Sequence, residues 1–89
     1  MTNINFVMNM TKSFLDGEID CITYSLGLPY ELGKRYRKMV REDREYAELI
    51  FICMVEKGTN KFDELSDPDF KKLICKQYKY ITDVARKVY

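Results

Sequence analysis

LIFICMV, residues 49–55, is the longest uninterrupted apolar run in this 89-residue chain, and whether it is a strand or a helix decides the fold. Its Ile, Phe and Val suit a buried strand. Two observations argue for helix. Leu32, Tyr36, Met39, Val40, Ala47, Ile50, Phe51 and Met54 recur at helical intervals through and around it, and no second apolar run of comparable strength exists to pair with it. The spacing predicts one long helix over about residues 30–57. Its first half, KRYRKMVREDRE at 34–45, is dominated by charge, whereas 49–55 is apolar all round.

Downstream, residues 58–69 (GTNKFDELSDPD) read as the longest loop and the most acidic local stretch. Asp67-Pro68 then predicts a helix with Asp67 as cap and Pro68 in its first position. Phe70, Leu73, Ile74, Ile81, Val84, Ala85 and Val88 give that final helix its apolar stripe, with Gln77 filling one slot.

Upstream, Ile4, Val7, Met8, Phe14 and Leu15, widened by Phe6 and Met10, predict a first helix from about Asn3 to Asp16. Gly17 follows, where a glycine can turn left-handed and close the last turn. Asp20 is placed to cap a second helix, with Ile19 and Tyr24 as a hydrophobic staple. That helix is expected to be short, because Gly27, Leu28 and Pro29 interrupt it. The chain therefore reads as all-α, a small antiparallel bundle of about four helices in a single domain spanning residues 1–89.

The turn sequence FLDGEID (14–20) also invites a calcium reading. An EF-hand loop with Gly17 at its sixth position would put Lys12 first, Phe14 third and Thr23 twelfth, and three of four ligand positions fail. No metal or cofactor is expected. Histidine is absent, which removes catalytic triads and imidazole chemistry. The four glycines are scattered at 17, 27, 33 and 58, so no phosphate loop forms. No carboxylate pair is marked out as acid and base, and no enzyme activity is expected. Cys21, Cys53 and Cys75 form no C-x-x-C spacing and read as reduced thiols in a cytoplasmic core. Neither a secretory signal nor a membrane span is predicted. Tyr78, Tyr80 and Tyr89 are the tyrosines best placed for surface contacts.

Fifteen Lys and Arg against fourteen Asp and Glu give a formal net charge of +1, so any electrostatic function must come from local segregation. Lys34, Arg35, Arg37, Lys38, Arg41 and Arg44 can contact phosphates from one side of a helix. The preferred reading is a solvated face, with pairs such as Lys38 to Glu42 and Arg41 to Glu45. The acidic group Asp63, Glu64, Asp67 and Asp69, together with Glu56, is open between a solvated loop and a negative knob aimed at a basic partner. A homo-oligomer would need an exposed apolar face, for which LIFICMV is the expected place.

The order of these features resembles the colicin D-type immunity proteins, small helical bacterial proteins that neutralise a tRNA-cutting toxin. The matching pieces are the FLDGEID turn with Tyr24 after it, AELIFICMVE at 47–56, the acidic loop and the final amphipathic helix, together spanning nearly the whole chain. The resemblance implies an immunity protein whose carboxylates cover the basic cleft of a cognate nuclease toxin. By position those are Glu56, Asp63, Glu64, Asp67 and Asp69, with Glu48 behind them. The alternative is a small helical nucleic-acid-binding or regulatory module using residues 34–44.

Overall fold

The computed structural model describes residues 2–88, with side chains through residue 84. Four α-helices, α1 (Asn3–Leu15), α2 (Cys21–Glu42), α3 (Arg44–Phe51) and α4 (Asp67–Val88), are joined by a π-helical turn (Ile52–Glu56) and a 3₁₀ turn (Thr59–Glu64). There is no strand among the described residues, and LIFICMV is helical throughout.

Local chemistry sets the first boundaries, with Gly17 and Asp20 in the roles expected of them. Thr2 caps α1 by accepting from the Asn5 N–H at 3.0 Å, and Gly17 turns left-handed at φ 88°. Asp20 then caps α2, accepting from the Thr23 N–H at 2.7 Å.

The second helix is not short. Pro29 lies inside α2, which continues to Glu42. A proline in a helix interior costs about 3 kcal/mol, but Tyr24, Leu28, Leu32 and Met39 are all within 1% of complete burial. Burying each such side chain contributes roughly 1.5–3 kcal/mol. Apolar residues on both sides of the proline thus hold one helix together.

The long helix expected over residues 30–57 is instead broken at Asp43, which is extended (φ −165°, ψ 102°) and caps α3 by accepting from the Tyr46 N–H. A carboxylate there can satisfy the amides of a new helix, and the bend brings α3 back against α2 and α4. The chain then widens into the π turn, closed by the Lys57 N–H to Ile52 carbonyl bond of 2.9 Å. Cys53, Met54 and Val55 are buried in succession, because α2, α4 and the 3₁₀ turn surround this segment. Gly58 must stay a glycine: a Cβ there would collide with the carbonyl oxygens of Met54 and Cys53.

At α4 the cap is Ser66 and not Asp67. The Asp69 N–H reaches the Ser66 hydroxyl at 3.4 Å and the Phe70 N–H donates to the Ser66 carbonyl at 2.8 Å. Asp67 is already helical, in the first turn, where a carboxylate favours the positive end of the helix. Phe70, Ile74 and Ile81 are buried and Leu73 and Val84 half-buried. Ala85, Val88 and Tyr89, named in the expected stripe and surface, lie outside the described side chains.

α1, α2 and α4 meet at an aromatic junction. Phe14 stacks on Tyr24 with centroids 4.3 Å apart and planes 8° from parallel. Phe70 packs on both, and Phe62 of the 3₁₀ turn packs edge-on against Phe70. Tyr24 is fully buried, and its hydroxyl lies 2.8 Å from that of Thr11, which also donates to the Val7 carbonyl. A buried hydroxyl needs such a partner.

Candidate functional site

The aromatic junction fixes where the acidic residues emerge. Between Phe62 and Phe70 the sequence holds Asp63, Glu64, Asp67 and Asp69 and no base. Both flanking phenylalanines are packed inward, so the four carboxylates are carried over the junction, and all four are exposed. None forms an ion pair with a described residue.

The start of α2 lies against this segment. The Cys21 thiol is 3.8 Å from the Asp67 carbonyl oxygen. Burial pushes that thiol up from its ordinary value, the negative charges of Asp67 and Asp20 add to the effect, and Lys71 opposes it. Asp20, with Asp16 and Glu18 in the turn before it, therefore joins the same corner of the molecule. The sequence places FLDGEID at a helix end and leaves its carboxylates out of the binding set; all three are exposed. Beside them is a shallow groove of about 390 Å³, lined by Leu15, Pro68, Cys75, Lys71 and Lys72. The corner thus combines a carboxylate rim with an apolar floor edged by Lys71 and Lys72.

Two of the expected site residues behave differently. Glu56 is exposed at the end of the π turn, separated from the acidic segment by Lys57 and Lys61. Glu48 is exposed on α3 but pairs with Arg44 at 3.3 Å, one helical turn away. The structure thus brings Asp63, Glu64, Asp67 and Asp69 into one segment, while Glu48 is engaged by its own helix.

Charge at the far end of α2 has another arrangement. Arg35 is half-buried, donating to Glu31 at 3.1 Å and to the Asn3 side-chain oxygen at 2.9 Å, with its guanidinium 3.7 Å from the centroid of Phe6. Glu42 accepts from the Ile4 and Asn3 backbone N–H groups and from the Asn3 amide, each at 2.9 Å. These bonds, that from Ile4 foremost, hold its carboxyl below the ordinary glutamate range. The expected Lys38 to Glu42 pair does not form, because the start of α1 takes Glu42. Nor does Arg41 to Glu45, because Asp43 breaks the helix between them. Lys34, Arg37, Lys38 and Arg41 remain exposed and unpaired among the described residues.

Twenty-two residues make α2 about 33 Å long, close to the 34 Å longest dimension of the molecule. The fourteen steps along the chain from Asp20 to Lys34 rise about 21 Å, more than two Debye lengths in physiological salt. Along this helix the carboxylate of Asp20 and the basic tract from Lys34 onward are therefore screened from one another.

Cys53 is buried, but Cys21 and Cys75 are only half-buried, so the thiols do not all belong to the core. Burial pushes the Cys53 thiol up as well, which disfavours the reactive thiolate. Tyr80 is exposed as expected, whereas Tyr78 packs against the core. Among the described residues no group of three or more His, Cys, Asp or Glu is placed to hold a metal ion, and no helix is long and apolar enough to cross a membrane. No family model, curated protein or solved structure matches the chain.

Proposed function

We propose that this protein binds and neutralises a basic partner through the acidic corner, as an immunity protein against a nuclease toxin of the tRNA-cutting kind. The observation that carries this reading is the segment Asp63, Glu64, Asp67 and Asp69: four exposed carboxylates held over an aromatic junction, none of them in an ion pair with a described residue although Lys71 and Lys72 stand beside them. A place at the positive end of α4 accounts for Asp67 and Asp69 but leaves Asp63 and Glu64 without local duty. Prepositioned carboxylates accelerate association with a cationic cleft and exclude the phosphates that would otherwise occupy it. The groove along Leu15, Pro68 and Cys75 offers the dry contact such an interface needs at its centre. Asp20, at the corner, is about 21 Å along α2 from Lys34, so the exposed bases of that helix act on it only weakly in physiological salt.

The test is co-purification with the product of a neighbouring reading frame, comparing the native chain with Asp63→Lys, Glu64→Lys. Retention of a basic nuclease by the native chain, and its loss from a variant with an unchanged circular dichroism spectrum, supports the reading. Equal retention by both contradicts it. The second reading rests on the exposed, unpaired Lys34, Arg37, Lys38 and Arg41. It requires the native chain itself to bind RNA or DNA, with affinity falling steeply as salt rises.

A further inference from the structure

The run LIFICMV offers no apolar face to a second copy, since only Ile52 in it is exposed. Its π turn, packed against α4, instead borders a cavity of about 220 Å³. Among the described residues Cys53, Lys57, Lys76, Gln77 and Tyr80 line it: two cations, an amide and a phenol around a buried thiol, with no acid. The cations come from separate elements, Lys57 from the end of the π turn and Lys76 from α4. Both are exposed, and neither is in an ion pair among the described residues. Burial pushes the Cys53 thiol up and the charge of Lys57 opposes it, so that ammonium stands near the cavity floor. Gln77 is the lining residue that packing does not explain. It lies on the side of α4 that carries Phe70, Ile74 and Ile81 into the core, and it is half-buried. Its side-chain amide has no hydrogen-bond partner among the described residues. An apolar residue there would extend the stripe, whereas an amide withdrawn from water without a partner costs free energy.

We propose that this cavity binds a small aromatic phosphomonoester, its phosphoryl oxygens held by Lys57, Lys76 and the Gln77 amide and its ring laid on Tyr80. The lining selects that class. Two ammonium groups on one cavity, with no carboxylate to neutralise them, favour an anion of more than one charge, and a phosphomonoester carries about −1.5 to −2 at neutral pH. Lysine meets a phosphate as a point charge and demands no planar match. The Gln77 amide adds two N–H donors for the oxygens that the lysines leave. Tyr80 presents an exposed ring at the same wall, and aromatic rings gain from offset stacking. Size limits the body of the ligand: the cavity lies below the roughly 300–1,000 Å³ of sites for drug-sized molecules, which suits one ring and its phosphate. The inference stands apart from the toxin-binding reading, because no carboxylate of the acidic corner lines this cavity.

Two-dimensional NMR of the isotope-labelled full chain, titrated with phenyl phosphate, inorganic phosphate and phenol, tests it. Phenyl phosphate should saturate with a Kd of about 1 mM, in proportion to so small a ligand, and should move the Gln77 side-chain amide signals. Inorganic phosphate should bind about fivefold more weakly for want of the ring, and phenol more weakly still. Lys57→Ala and Lys76→Ala should each weaken phenyl phosphate by about tenfold. Gln77→Leu should weaken it by about fivefold while melting no lower than the native chain, because leucine completes the stripe. Lys34→Ala, Arg37→Ala, which removes two exposed bases of α2 outside the cavity, should bind like the native chain. No saturable binding of phenyl phosphate below about 10 mM overturns the proposal. So does inorganic phosphate or phenol binding as tightly as phenyl phosphate, or a Gln77→Leu chain that binds like the native one. A loss from Lys34→Ala, Arg37→Ala equal to that from the cavity lysines marks general surface attraction and overturns it too.

Discussion

The two ends of α2 use charge in opposite ways. At its C-terminal end Glu42 and Arg35 are committed to the fold: one fastens the first amides of α1 and the other bridges Glu31, Asn3 and Phe6. At its N-terminal end the joint is made by rings, Phe14 on Tyr24 with Phe70 across them, and the carboxylates around it are left facing water. An apolar joint frees the charges above it for a partner. A charged joint does not.

The comparison breaks most visibly if the aromatic joint is removed. Phe14→Ala should destabilise the fold by about 3–5 kcal/mol in chemical unfolding, since it empties the stack beneath the acidic corner. Gly58→Ala, which forces a methyl group against the Met54 and Cys53 carbonyls that position the 3₁₀ turn, should cost about 1–3 kcal/mol. Tyr24→Phe keeps the stack and leaves Thr11 donating to Val7, so its loss should be only about 1 kcal/mol, the contribution of one buried hydrogen bond.

At the charged end the expected signature is pH. Hydrogen bonds to the charged carboxylate depress the folded-state pKa of Glu42 below the ordinary 4.5. Its contribution is therefore complete above 4.5 and is lost as pH falls through the lower folded value. Thermal melts from pH 7 downward should show a loss of stability on acidification that Glu42→Gln diminishes. Asp63→Lys, Glu64→Lys should leave the melting temperature at pH 7 unchanged, as the exposed end of the comparison requires.

How far the sequence reveals this arrangement depends on the reach of each interaction. Gly17 and Asp20 are legible because a turn and a cap involve neighbours in the chain. Pro29 and Asp43 mislead for a shared reason. The local rule that proline ends a helix is outweighed by apolar burial on both of its sides, whereas an unbroken helical period conceals the acid that starts a new helix. Asp67-Pro68 locates the start of α4 correctly but hides the cap one residue earlier, because serine and aspartate can both serve. The clamps by Glu42 and Arg35 join residues 32 to 39 positions apart, beyond what helical spacing can reveal. The acidic segment was legible as composition, whereas its junction with Asp20 through Cys21 required the tertiary fold.

The most direct test of the acidic corner is titration of tRNA cleavage by a co-purified basic nuclease with the native chain and with Asp63→Lys, Glu64→Lys. Cleavage should stop at one native chain per nuclease, and the variant should need at least about tenfold more protein, the range expected when close interfacial charges are reversed. Equal suppression by both chains, or suppression through binding of the native chain to the tRNA itself, would contradict the account.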